Sequence, residues 1–180
     1  DFELKEPTVV TLGKFDGRHR GHQKLLRTME EVKESLGYAT AIFTFSTAPL
    51  TLVTGETATV ITTSEERRHN MEKMGIDYLV EYPFTDDVRK MDPAVFVKDI
   101  LVKRMKAKAV VVGPDCSFGY KGAGNVELLR TLSRELGFRL YVIEKEKNHR
   151  RDISSTYIRE ELSRGNVAKA NELLGEPYAI

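Results

Sequence analysis

Short runs of apolar and β-branched residues alternate along the chain with longer stretches in which apolar residues recur every three to four positions. That alternation is expected when parallel strands are joined by crossover helices. Five runs read as strands: Thr8 to Leu12, Ala39 to Phe45, Tyr78 to Tyr82, Ala109 to Val112 and Arg139 to Ile143, each apolar enough to be covered on both faces. Leu25, Leu26, Met29, Val32 and Leu36 repeat at helical spacing, which predicts a helix from about Arg20 to Leu36 ended by Gly37. Thr63 and Glu66 stand in capping-box spacing and open a second helix. Asp92 as cap and Pro93 in the first turn open a third, ending near Met105. A fourth follows Asn125, and the last two span Ser155 to Arg164 and Val167 to Leu174 across a break at Gly165-Asn166. The fold expected is α/β: one domain over residues 1–180, a doubly wound five-stranded parallel sheet with helices on both faces. Residues 46–62 are rich in Thr and poor in period, and are expected to form a surface flap.

Charge and composition narrow the chemistry. At 180 residues the chain is long enough for one sizeable core, and 28 Lys plus Arg against 27 Asp plus Glu give a net charge of +1. There is thus no global drive toward nucleic acid or membrane, and any anion must be gripped locally. Cys116 is the one cysteine, which excludes an internal disulfide and multi-cysteine metal clusters. No run approaches the length of a membrane span and the first residues are polar, so the expected location is the cytoplasm.

In an open parallel sheet ligands bind beyond the carboxyl ends of the strands, so the loops after the strands are where chemistry is sought. The first loop contains Gly13, Phe15, Asp16, Gly17, His19, Gly21 and His22 and runs directly into the first long helix. Unpaired N–H groups at a helix start, with glycines that let a ligand approach the backbone, make a phosphate cradle. Imidazoles there can donate hydrogen bonds or carry charge near neutrality, which makes His19 and His22 the leading catalytic candidates. The segment is neither a Walker loop nor a dinucleotide fingerprint. A metal site would need a third ligand, and none follows at suitable spacing.

The second loop, residues 113–125, carries four glycines, two aromatic residues, Asp115 and Lys121. Such a loop can wrap a planar ligand, with Phe118 or Tyr120 against its ring and Asp115 or Asn125 at its polar edge. The alternative is a surface loop with Phe118 buried. Cys116 reads as a small buried filler rather than a reactive thiol. In the third loop Ser154, Ser155 and Thr156 lead into a helix with Arg159 one turn on, where a guanidinium fork matches two phosphate oxygens. Upstream, His149, Arg150 and Arg151 read as a solvated basic cluster, and His69 as a surface residue.

The first loop, GKFDGRHRGH, resembles the H-x-G-H signature of the nucleotidyltransferase superfamily in the form found in bacterial FAD synthetases, with Lys14 where that family commonly has Asn. The second loop resembles the family's glycine-rich stretch, with Cys116 and Ser117 departing from it, and Ile153 to Arg159 resembles its I-S-S-T-x-I-R motif. The resemblance implies a Rossmann-like nucleotidyltransferase fold. It implies ATP phosphates held by Gly13, Lys14, Phe15, Asp16, Gly17, His19, His22, Ser154, Ser155, Thr156 and Arg159. It implies FMN near Asp115, Phe118, Tyr120 and Asn125. The expected reaction moves an adenylyl group from ATP, accompanied by Mg2+, to the phosphate of FMN, giving FAD and pyrophosphate. His19, His22 and Arg159 are expected to be catalytic. Phe45 to Pro49 aligns with a family region that tends to carry His-Pro, of which Pro49 remains. Leu174 to Tyr178 resembles the lead-in to a riboflavin kinase domain, so the chain itself is expected to lack kinase activity. A transferase using another phosphorylated acceptor, such as nicotinamide mononucleotide or phosphopantetheine, and a non-catalytic flavin or nucleotide binding module stay open.

Overall fold

The computed structural model describes residues 2–46 and 60–178. Five parallel strands, β1 (Thr8–Leu12), β2 (Ala39–Phe45), β3 (Tyr78–Tyr82), β4 (Ala107–Val112) and β5 (Arg139–Val142), form one sheet in the order β3-β2-β1-β4-β5. The chain builds outward from β1 to β3, then returns to lay β4 on the other side of β1. Val10 is the central register point, paired with Ala41 and Val110. The crossovers after β1 and β4 therefore leave in opposite directions, and a crevice opens beyond the carboxyl ends of these two strands.

Alternation along the strands supplies two cores. Val10, Ala41, Phe43, Val110 and Val112 face one side, with Val97, Ile100, Leu101 and Leu129. Val9, Ile42, Ala109 and Val111 face the other, against Leu26, Met29 and Val32 of helix α1 (Arg20–Leu36). Both faces are covered, as the apolar strands require. α1 ends at Gly37, whose φ of 69° lets its N–H reach back to the Lys33 carbonyl. Helix α2 (Ser64–Lys73) opens with the reciprocal Thr63 and Glu66 capping box that its sequence predicts. Two late helices pack with Ile61 and Ile153 in a satellite core.

Three elements differ from expectation. A short helix, α3 (Asp86–Arg89), follows β3. The helix opened by Asp92, α4 (Pro93–Val95), continues as a π-helical stretch over Phe96–Arg104, shown by the bond from the Met105 N–H to the Ile100 carbonyl five residues back. The wider turn keeps Phe96, Val97, Ile100, Leu101 and Met105 all buried against the sheet. After α5 (Val126–Leu136) and β5, a two-residue ribbon pairs β6 (Lys147–Asn148) with β7 (Arg151–Asp152), the turn between them placing His149 at φ 54°. The chain then enters α6 (Ser155–Ser163) and α7 (Val167–Leu174). The expected flap lies mostly outside the described residues, but its far end is anchored, with Ile61 buried at 6% exposure. Thr47 to Pro49 also lie outside them. No helix among the described residues is long and apolar enough to cross a membrane.

Candidate active site

The first loop leaves β1 at the crevice and turns sharply. Gly17 takes φ 73°, and a Cβ there would meet the Ile61 side chain at 3.0 Å. The next turn is capped by His19, whose Nδ1 accepts the His22 N–H at 3.2 Å. His19 thus does the work usually given to Ser, Thr, Asp or Asn at a helix start. The two imidazoles stack, ring centres 3.6 Å apart, and His22 also meets the ring of buried Phe15 at 4.8 Å. Gly21 leaves room for this arrangement, since a Cβ there would lie 3.2 Å from the His19 ring.

The hydrogen bonds assign the tautomers. His19 Nδ1 accepts, so in the neutral ring Nε2 carries the proton. His22 Nδ1 lies 2.7 Å from the Gly17 carbonyl, which can only accept, so that nitrogen carries the proton and Nε2 offers a lone pair. Burial, reinforced by the neighbouring His22, pushes His19 down from 6.5 to about 3. Burial likewise pushes His22 down to about 4, with the Gly17 carbonyl and Asp16 opposing it. Both rings are therefore neutral near pH 7 in this state, where the sequence left open whether they carry charge.

Asp16 is the joint between this loop and the rest. Its carboxylate is buried, at 8% exposure. Oδ1 accepts the N–H groups of Ile61 at 2.7 Å and Thr62 at 3.1 Å, and Oδ2 pairs with Arg159 Nη1 at 2.7 Å. Ser155 Oγ donates to the Asp16 carbonyl at 2.6 Å, and the Gly17 N–H donates to Thr62 Oγ1 at 3.1 Å. The third loop is thereby seated on the first. Ser154 caps α6 by accepting the Tyr157 N–H at 3.2 Å, and Arg159 Nη2 donates to Thr156 Oγ1 at 3.2 Å. Those two bonds use two of the five guanidinium N–H groups, leaving donors for an anion. Gly13 and Lys14 are exposed at the mouth of the loop.

The second loop follows β4 on the other side of the crevice and is held mostly by its own backbone. Phe118 and Gly124 exchange N–H to carbonyl bonds of 3.1 and 2.8 Å. The Phe118 ring is buried, 5.7 Å from that of Phe96, so it packs the core and leaves Tyr120 as the exposed aromatic of the loop. Asn125 caps α5 through the Leu128 N–H at 3.0 Å. Asp115 pairs with Lys145, which also reaches Asp152 at 2.9 Å, and these groups line a cavity of about 470 Å³ between the second and third loops. Cys116 is partly buried, and burial pushes its thiol up to about 11, the behaviour of a filler rather than a nucleophile. His69 is exposed on α2 and His149 and Arg150 on their turn, while Arg151 lies over the Tyr157 ring at 3.8 Å. Among the described residues no three His, Cys, Asp or Glu side chains gather as a metal site.

Sequence reasoning missed Thr62, Ile61 and Gln23. Ile61 and Thr62 meet the first loop only through the tertiary fold, 45 residues on, whereas Gln23 lies five residues from its Arg18 partner but in no motif that sets it apart.

Solved structures identify the class. One described as a macrolide-efflux protein from Streptococcus pneumoniae superposes with a TM-score of 0.84 at 26% identity, covering 99% of this chain and 58% of that one. Pantoate-beta-alanine ligase from Francisella tularensis shares the fold at a TM-score of 0.56 and 13% identity, covering 94% of this chain and 78% of that one. With the five-stranded parallel order, these define an α/β nucleotidyltransferase-like fold.

Residues 1–157 match the FAD synthetase family, and the chain belongs to that family of nucleotidyltransferases. Proteins named bifunctional riboflavin kinase/FMN adenylyltransferase are similar over nearly its whole length. That of Escherichia coli K12 is 32% identical, over 98% of this chain and 56% of its own. That of Listeria monocytogenes is 33% identical, over 94% and 54%. The chain spans a little over half the length of these relatives.

Proposed function

We propose that this chain is an FMN adenylyltransferase: the FMN phosphate attacks the α-phosphorus of Mg-ATP in line, one P–O bond forms as another breaks, and pyrophosphate leaves with FAD as the other product. The observation that carries this reading is the bond from Arg159 to Asp16, which brings the guanidinium to the loop bearing both histidines. Of the two activities in the relatives' names, the one that the family match over residues 1–157 favours is adenylyl transfer. In this reading residues 1–180 form one nucleotidyltransferase domain.

In this reading the crevice holds the reacting phosphates, and catalysis comes from position and charge stabilisation rather than a covalent intermediate. His19 Nε2–H donates to a phosphate oxygen. His22 Nε2 accepts a proton when the polyphosphate's negative charge raises its pKa, and then donates as well. Arg159 supplies its free N–H groups, and Ser154, Ser155 and Thr156 hold the start of α6 toward the leaving phosphates. Asp16 keeps Arg159 aimed, Gly13 and Lys14 flank the phosphates, and Phe15 supports His22. Tyr120 and Asp115 face FMN, with Phe118 and Asn125 shaping the loop that presents them. Mg2+ arrives with ATP as part of the substrate.

The test is FAD formation and pyrophosphate release from ATP, with and without FMN, and with nicotinamide mononucleotide or phosphopantetheine as replacement acceptors. FMN-dependent release of pyrophosphate matched by FAD is expected. Tight nucleotide binding without release would make the chain a binding module, and release with another acceptor alone would move the assignment to that acceptor.

A further inference from the structure

Arg18 lies in the middle of the histidine loop, where a guanidinium would be expected to grip phosphate. Instead it is turned to the end of the chain. Its Nε donates to Glu176 Oε1 at 3.1 Å, and its Nη2 pairs with the second oxygen of the same carboxylate. Gln23, one turn into α1, adds a second tie. Its amide nitrogen donates to the Arg18 carbonyl at 2.9 Å and to the Leu174 carbonyl at 2.8 Å, so both hydrogens join the loop to the end of α7. Gly175 reverses the chain at φ 77°, and a Cβ there would lie 3.5 Å from both Arg20 and Gln23. The Tyr178 N–H donates to Asn171 Oδ1 at 2.7 Å and fixes the far end.

α7 does not need these ties to end. Gly175 already caps it through its own N–H to the Asn171 carbonyl at 2.8 Å. What the ties hold is Arg18, which stands between Gly17, the carbonyl partner of His22, and His19, the cap of α1. We propose that Gln23 and Glu176 are positioning residues: with Arg18 they form a latch by which the segment after α7 fixes the backbone that sets the two imidazoles. The proposal rests on the phosphate-gripping role given above to His19 and His22. A half-exposed ion pair alone would be worth little, but here the carboxylate engages two guanidinium nitrogens beside a shared amide bridge.

The test compares Glu176→Ala, Gln23→Glu and the exchanged pair Arg18→Glu with Glu176→Arg. Gln23→Glu keeps the side chain's size and removes both donors. In nucleotide-free protein, amide hydrogen exchange over residues 19–23 should quicken about tenfold in the first two variants, while exchange in the sheet is unchanged. KM for ATP should rise about fivefold, the loss expected from one hydrogen-bonded tie, with kcat changed less than twofold. The exchanged pair should restore both readouts to within about twofold of the parent protein. Unchanged exchange in both Glu176→Ala and Gln23→Glu would overturn the latch, as would faster exchange with an unaltered ATP KM. Because exchange is measured without substrates, a failure of the adenylyl-transfer reading would appear as absent activity in the parent protein and not as a failed latch.

Discussion

The joined first and third loops face the same crevice as the second loop, but the two regions are built by different means. In the first, charged and polar side chains make the structure: Asp16 ties Ile61, Thr62 and Arg159 together, and His19 caps the helix that carries His22. These groups keep capacity in reserve, in the free guanidinium N–H groups and the two Nε2 atoms. In the second loop the distinctive residues are consumed by folding. Phe118 fills the core, Asn125 caps α5, and Gly119 leaves the space beside Pro93 that a Cβ would invade. Damage to one region should therefore appear mainly as lost turnover, and damage to the other mainly as lost stability.

The largest effect should come from Gly119→Ala. Gly119 has φ 71° and ψ −170°, and a Cβ would lie 2.7 Å from the Pro93 backbone. Strain and overpacking together should cost about 3 kcal/mol of unfolding free energy. Urea denaturation reads this directly, and a variant as stable as the parent would show that the loop yields freely.

His22→Ala attacks the other region. Its turnover in FAD formation should fall on the order of a hundredfold, about 2.7 kcal/mol in the barrier, as for loss of one preorganised donor. Circular dichroism should show the fold retained. Near-parental turnover would remove the imidazole from the chemistry.

Much of the frame behind these contrasts is local and could be read from the residues. The apolar period of α1 and Gly37 set both its ends, Thr63 with Glu66 made the capping box, and Asp92-Pro93 opened α4 where expected. Each signal lies within one turn of the feature it specifies. The π-helical stretch gave no such sign, because buried residues at four- to five-residue intervals also suit an ordinary helix facing a core. The tie between Asp16 and the segment at Ile61 and Thr62 crosses some 45 residues, and the Arg18 pair with Glu176 crosses 158. Such pairings depend on the completed sheet. The histidines illustrate both sides: their spacing marked the loop to which Asp16 ties Arg159, but their neutrality follows from burial that the loop sequence does not display.

Acid should sharpen the comparison with an effect that is smaller per histidine and per pH unit. Unfolded, the imidazoles titrate near 6.5; folded, His19 titrates near 3 and His22 near 4. Below pH 6.5 the unfolded chain binds protons that the folded chain refuses, so stability falls as pH drops toward 4. The slope should reach about 1.4 kcal/mol per pH unit for each histidine. Urea midpoints at pH 7, 6 and 5 measure it, and His19→Gln should remove about half. A flat profile would mean that both rings are solvated.

The smallest effect belongs to the second loop again. Asn125→Ala should lower stability by about 1 kcal/mol through the lost cap, with KM for ATP unchanged. A thermal melt and ATP titration check it, and a raised ATP KM would bring this residue into the nucleotide site.

The bond between Asp16 and Arg159 joins residues 143 apart. During synthesis at about 5–20 residues per second, the first loop waits roughly 7–30 s for its guanidinium partner to be translated. Until then the Asp16 carboxylate lacks the counter-charge that Arg159 supplies in the finished fold, although β4 has already been made. This polar cluster is thus among the last things a nascent chain can assemble.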